Sequence, residues 1–252
     1  RKKNQTRNFL LVGGLILLIL AGGLILRVRY IRNSKAALQI EKDQSENLLL
    51  NILPADIAKA LKEKGKADAR DFDLVSILFT DFKSFTQASE KLTAAELVNE
   101  IHTCFEAFDS IMEKYGVEKI KTIGDAYMAA GGLPIPSADS AQNTIKAALE
   151  MQAFIMKRKA ERDDSGKPAF QMRAGIHTGP IVAGIVGVKK FQYDIWGDSV
   201  NTASRMESAG EVGNVNISQA TYRLVKDNPT FNFISRGKIE VKGKGEMEMY
   251  YA

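Results

Sequence analysis

The chain has 252 residues, of which 45% are hydrophobic and 26% charged. These values exclude wholesale disorder and leave ample material for one or two packed domains. A single Cys excludes both a disulfide framework and a cysteine-built zinc site, and Cys104, inside a helical pattern, reads as a buried structural thiol. The net charge of +5 belongs to one end. Residues 1–35 carry eight Lys or Arg and no acid, which leaves 27 basic against 30 acidic residues beyond them. The body of the protein is therefore not a nucleic-acid-binding surface.

Residues 1–8 form a basic flank. Phe9 to Leu26 is then an uncharged run of 18 residues, FLLVGGLILLILAGGLIL, about 27 Å long as a helix at about 1.5 Å per residue. A bilayer core of about 30 Å makes this a short but sufficient transmembrane helix. A signal peptide would end in small residues, whereas Arg27-Val28-Arg29 follows directly. The spacing predicts a single pass through the lipid bilayer at residues 9–26. Both flanks are equally basic, so charge alone gives no orientation. A chain that begins at Arg1 is expected to lack an upstream part.

Residues 27–70 read as a juxtamembrane helical stalk. Strong helix formers run from Ser34 to Leu61, with a heptad too ragged for a coiled coil. Pro54 suits the first turn of a second helix, Asp56 to Lys64, which Gly65 can close. A signalling stalk and a plain spacer fit this segment about equally.

Residues 71–252 have the pattern of a compact α+β domain. Phe72–Thr80 reads as a strand. Thr93-Ala-Ala-Glu96 has capping-box spacing and opens a helix that Gly116 ends. Val117–Ile123 and Ala126–Ala130 are strands joined by a hairpin at Gly124-Asp125. A helix over Asp139–Arg162 and a strand over Phe170–His177 follow. The order β-α-β-β-α-β predicts a ferredoxin-like split βαβ arrangement, an antiparallel sheet with helices on one face, then a C-terminal α/β extension from Asp198.

Two acids stand out by position: Asp81 ends the first strand and Asp125 tips the hairpin. With the first and second strands as neighbours, their ends converge, and two carboxylates there suit Mg²⁺ shared with substrate phosphates. For either acid alone, a plain strand-end or turn Asp is the better reading. Lys121 lies four residues before Asp125, and Asp194 sits in a mixed aromatic and polar segment. Asn201 and Arg205 share one face of a helix starting near Asp198, as an ordinary surface helix would also place them. Lys242 lies in a basic turn that either binds phosphate or faces solvent. The glycines of Gly175 to Gly187 match neither the dinucleotide fingerprint nor the P-loop spacing and point to close backbone packing. His102 and His177 are too isolated to form a metal pair.

Three segments carry a resemblance: Phe79-Thr80-Asp81-Phe82-Lys83-Ser84-Phe85-Thr86, Lys119-Ile120-Lys121-Thr122-Ile123-Gly124-Asp125-Ala126-Tyr127, and Tyr193-Asp194-Ile195-Trp196-Gly197-Asp198-Ser199-Val200-Asn201-Thr202-Ala203-Ser204-Arg205-Met206. Together they closely resemble the class III nucleotidyl cyclases, in order, over roughly Asp71 to Tyr251. The resemblance implies a homodimeric or pseudodimeric domain that makes a 3′,5′-cyclic nucleotide and pyrophosphate. It implies that Asp81 and Asp125, with the Phe82 backbone carbonyl, bind two divalent cations, Mg²⁺ or Mn²⁺. By the same carry-over Lys121 and Asp194 read the base, Asn201 and Arg205 serve the transition state, and Lys242 holds the triphosphate.

The chemistry agrees. Cyclisation is an in-line attack of the ribose 3′-oxygen on the α-phosphorus, and two metals with an Arg at the reacting phosphoryl supply the electrostatics. No side chain stands out as a general base. Lys only donates and ionised Asp only accepts, so Lys121 on N1 and Asp194 on N6 match adenine and mismatch guanine. Guanylyl members of the family typically carry Glu and Cys at these places. The expected activity is therefore an adenylyl cyclase acting on ATP from the cytoplasmic side of a membrane. A guanylyl or dual-specificity cyclase is the rival within the class. A degenerate cyclase-like regulatory module of a membrane receptor is the rival outside it, although none of Asp81, Asp125, Asn201 or Arg205 is missing.

Overall fold

The computed structural model describes the backbone of residues 2–83, 85–187 and 192–252, and side chains over the same ranges except residues 2–12, 15–19 and 21. The chain divides into two compact units, Arg1–Ala58 and Lys59–Ala252.

The first unit is dominated by one helix, α1 (Lys2–Leu50). More than half of the expected membrane span at residues 9–26 lies outside the described side chains. Among the described residues no helix is long and apolar enough to cross a membrane. The stalk does not begin as a separate element, because α1 runs unbroken to Leu50. A second helix, α2 (Ala55–Lys64), starts directly after Pro54, whose missing N–H costs nothing there. Gly65, at φ 70°, closes it by donating to Leu61 O at 2.9 Å.

The second unit holds β1 (Arg70–Lys83), a short α3 (Phe85–Ser89), α4 (Ala94–Tyr115), β2 (Val117–Ile123), β3 (Ala126–Gly131), α5 (Ser140–Asp164) and β4 (Gln171–Val186). β5 (Gln192–Trp196), α6 (Asp198–Ser208), β6 (Val215–Ser218), α7 (Gln219–Val225), β7 (Ile234–Val241) and β8 (Gly245–Tyr251) complete it. The capping box at Thr93 and Glu96 is formed, and Gly116 ends α4 in the left-handed region.

Among the described residues, eight strands make one sheet in the order β2-β3-β1-β4-β6-β8-β7, with β5 paired to β4. The β2-β3-β1-β4 part is the split βαβ arrangement. Two expectations need correction. The neighbour of β1 is β3, not β2, because the β2–β3 hairpin folds its second strand inward. The sheet is mixed rather than antiparallel, since β6 runs parallel to β4 and so brings the C-terminal extension into the same sheet. The two long helices of the split βαβ part, α4 and α5, share one face as expected, and α6 of the extension lies on the other.

Strand alternation produces that last result. Leu78 and Phe82 of β1, and Met172, Ala174 and Ile176 of β4, join Phe108 of α4 and Met151 of α5 in one buried core. Arg173 and Gly175 point the other way, onto α6. Met206 of α6 packs with Val241 and Met249 in a smaller apolar cluster. The sheet is therefore sandwiched, with α4 and α5 beneath and α6 above.

The close approach of α6 explains one of the glycines. A Cβ at Gly175 would lie 1.9 Å from the Glu207 backbone nitrogen and 2.4 Å from its Cα. Backbone cannot give way as a flexible side chain can, so Gly175→Ala is expected to cost about 2–3 kcal/mol. Urea unfolding of the two proteins measures it; equal midpoints would show that α6 moves freely on β4. In the opposite layer Cys104 is fully buried, and burial pushes its thiol up to about 12. At pH 8 the group stays protonated and a poor nucleophile. Ellman's reagent should label it only in denaturant, and rapid labelling of the native protein would contradict this packing.

Candidate active site

Asp81 and Asp125 are brought together by the β1–β3 pairing, in which Thr80 opposes Tyr127. Asp81 is the third residue from the end of β1. Its position is fixed by its neighbour Phe82, whose ring stacks on Phe170 at 4.7 Å and packs against Phe105 and Phe108 at 6.2 and 6.3 Å. Asp125 follows Gly124, whose φ of 63° makes the tight turn possible. Burial raises the Asp125 carboxyl above its ordinary range; the Asp81 charge adds to this, while backbone N–H groups, including that of Phe82, oppose it. Two carboxylates that repel each other at a half-open strand end are a cation site in chemical character. Among the described residues no cluster of three or more His, Cys, Asp or Glu could hold a metal. Two carboxylates are a donor set that suits Mg²⁺ or Mn²⁺, ions that take their other ligands from water or phosphate oxygens.

Two residues missed by the sequence reading complete this cluster. Arg173 stands opposite Asp81 in the β1–β4 ladder, and its Nη2 lies 2.9 Å from both Asp81 Oδ2 and Glu207 Oε1. Glu207 is buried at the end of α6. Burial raises its carboxyl; Arg173 pulls it back down, and the charges of Asp81 and Asp125 push it up again. One signal for Arg173 was available: an Arg alternating with Met172 and Ala174 in a strand must face away from the apolar core. Glu207 carried no such mark.

Lys121 and Asp194 form a pair, Nζ to Oδ2 at 2.5 Å. The ladder between β2 and β3 slips between Lys119 and Lys121, and such a bulge re-aims the side chain that follows. Asp194 lies mid-strand in β5, with its second oxygen held by the Ile195 N–H at 2.9 Å. The side chains are 26% and 14% exposed, so the pair is partly desolvated yet reachable.

Asn201 and Arg205 lie on the exposed face of α6, while Ala203 and Met206 are buried beneath. Among the described residues no hydrogen bond or ion pair joins either side chain to the carboxylates. Lys242 is exposed in the turn between β7 and β8. Its neighbour Lys244 pairs with both carboxylate oxygens of Asp198, the first residue of α6, and so ties that turn to the helix. His177 is held by Ser218 at 2.8 Å, and burial lowers it to about 4. It stays neutral at physiological pH and is structural.

The chain was compared with known proteins on this basis. The family described as the adenylate and guanylate cyclase catalytic domain matches residues 67–252. An adenylate cyclase of Mycobacterium tuberculosis is 42% identical over 219 residues, covering 86% of this chain and 48% of that protein. The human guanylate cyclase soluble subunit beta-2 is also 42% identical, over 214 residues, covering 85% of this chain and 34% of that one. The chain thus spans half or less of the length of these relatives. Among solved structures, the guanylate cyclase domain of RhGC from Catenaria anguillulae, in complex with GTP, superposes with a TM-score of 0.67 at 32% identity, covering 72% of this chain and 97% of that one. A match spanning both carboxylate strands, the hairpin and α6 leaves no other assignment: the chain belongs to the nucleotidyl cyclases, through their adenylate and guanylate cyclase catalytic domain.

Proposed function

We propose that the domain is an adenylyl cyclase that converts ATP to 3′,5′-cyclic AMP and pyrophosphate. The observation that carries this reading is the Lys121–Asp194 pair. Adenine offers an acceptor at N1 beside a donor at N6, and a donor-only Lys next to an acceptor-only Asp complements that edge. Guanine offers the reverse pattern and leaves both groups mismatched, which a polar site rejects by roughly 10²–10⁵-fold. Adenylate and guanylate cyclases resemble this chain equally, so discrimination rests on these two side chains.

Asp81 and Asp125, with the Phe82 carbonyl, are assigned to hold two divalent cations. When bound, these supply activation of the 3′-hydroxyl and neutralisation of the leaving pyrophosphate. Arg205 presents its guanidinium to the reacting phosphoryl, Asn201 orients the ribose through its ring oxygen, and Lys242 holds the triphosphate. Product analysis with ATP and GTP in turn, under Mg²⁺ and Mn²⁺, tests the assignment. Cyclic AMP should dominate, and Asp81→Ala or Asp125→Ala should abolish its formation in a protein that still unfolds cooperatively. Preferred turnover of GTP would overturn the base assignment, and near-normal activity in either variant would overturn the metal assignment.

We further propose a head-to-tail homodimer in which Asp81 and Asp125 of one protomer face Lys121, Asp194, Asn201 and Arg205 of its partner. The exposure of Asn201 and Arg205, and the lack of any bond between them and the carboxylates of the same chain among the described residues, support this. Asp81→Ala and Arg205→Ala homodimers should each be nearly inactive. Co-expressed, they form mixed dimers with one doubly damaged and one intact site. About half the dimers would be mixed and half-active, returning roughly a quarter of parental activity. Mixed dimers without such activity would refute shared sites.

The apolar run at residues 9–26 supports anchorage in a bilayer. ATP chemistry then requires residues 71–252 to be cytoplasmic, beyond a stalk at 27–70.

A further inference from the structure

The metal assignment leaves Arg173 unexplained. A guanidinium at a cation site is an unusual neighbour, because it neutralises the carboxylate that must receive the metal. Its geometry accounts for it. One nitrogen, Nη2, donates to Asp81 Oδ2 at 2.9 Å and lies at the same distance from Glu207 Oε1 without a hydrogen bond to it. The Arg173 Nε and Glu207 Oε1 are both buried and have no hydrogen-bond partner. The side chains of Arg173 and Glu207 are 21% and 9% exposed, so the pair is largely withdrawn from water. The other Glu207 oxygen has Ser208 Oγ at 3.1 Å.

Without a metal, Asp81, Asp125 and Glu207 repel one another, and Arg173 is the cation that bonds Asp81 and faces Glu207. A divalent ion arriving at Asp81 brings the same kind of charge, so ion and guanidinium compete for Oδ2. The guanidinium has somewhere to go. Glu207 is already within reach, and the unused Nε adds a further donor for it.

We propose that Arg173 is a stand-in cation for the metal site: it holds Asp81 in place while the site is empty and settles on Glu207 when a divalent ion binds. Arg173 is thus a positioning residue, and Glu207 is its refuge. This rests on the assignment of Asp81 and Asp125 as metal ligands.

The test measures Mn²⁺ binding to the full chain by the electron-paramagnetic signal of free Mn²⁺. The probe is Mn²⁺ with 3′-deoxy-ATP, which cannot cyclise. Melting temperatures with and without Mn²⁺ give a second readout. Glu207→Gln removes the refuge and should weaken Mn²⁺ binding about tenfold. The double variant Arg173→Met/Glu207→Gln keeps the parental net charge but has no competing cation. It should bind Mn²⁺ several-fold more tightly than the parent, while its metal-free form melts lower.

Long-range electrostatics alone predicts parental affinity for the double variant, and a role limited to orienting Asp81 predicts weaker binding. Either result overturns the proposal. If the double variant does not unfold cooperatively, Arg173→Lys decides. A single ammonium contact is drawn to buried Glu207 and frees Asp81, so binding should tighten about threefold. Unchanged or weaker binding there overturns the proposal equally. Asp81→Asn in the same assay separates the two claims: if it binds Mn²⁺ as well as the parent, the metal assignment itself fails.

Discussion

The antiparallel pairing of β1 with β4 is the constraint on which the rest of this domain depends. Its register sets Asp81 opposite Arg173, Phe82 opposite Met172, and Leu78 opposite Ile176. Because side chains alternate with period two, one pairing decides both faces at once. Phe82, Met172 and Ile176 go down into the core against α4 and α5, while Asp81, Arg173 and Gly175 go up toward α6. A slip of one residue would bury the carboxylate among phenylalanines and turn the aromatic anchor out to solvent. The core and the charged site are thus two sides of one ladder, and the hydrophobic side enforces the geometry of the other.

Two ionic networks in this domain have similar ingredients and different characters. Glu100 of α4 is 2% exposed and receives Arg158 through two bonds of 3.0 and 2.8 Å and Arg162 through one of 2.6 Å. One acid with two guanidiniums is fully compensated, and it joins α4 to α5. At Arg173 the ratio is reversed: one Arg meets two acids, Asp81 and Glu207, and Asp125 stands beside Asp81. Removing one partner of a buried pair costs about 3–5 kcal/mol because the other charge is stranded. This excess of acids over cations at a strand end agrees with the proposal that Asp81 and Asp125 take a cation. The arithmetic of charge, more than the presence of ion pairs, distinguishes the site from the scaffold.

Much of this was legible from local signals. The capping box at Thr93, the Gly116 stop, the Gly124-Asp125 hairpin and the face shared by Asn201 and Arg205 each depend on residues within four positions of one another. What the chain did not disclose was long-range. The β2–β3 hairpin packs its second strand against β1, a choice made by sheet assembly and not by either strand's own residues. The strand ending at His177 in the sequence reading runs on to Val186, because Ile181 and Ala183 find partners in β1 and Ile195 in β5. Glu207 looked like one more acid on an amphipathic helix. Its meaning came from Gly175, 32 positions earlier in the chain, which lets the end of α6 sit directly on the sheet.

The Lys121–Asp194 pair illustrates why overall likeness and substrate choice separate. The fold fixes where these two side chains stand, through the bulge in β2 and the pairing of β5 with β4. Relatives at the same identity include both adenylate and guanylate cyclases. Pairing in the free domain serves the adenylyl reading in a specific way. Each charge neutralises the other while the site is empty, so neither is left unpaired in a partly desolvated pocket. On that reading adenine, with an acceptor beside a donor, would replace one ionic contact with two oriented hydrogen bonds. Guanine would break the same contact and set a donor against the ammonium and an acceptor against the carboxylate. On the adenylyl reading, discrimination would arise from the partner that cannot be satisfied.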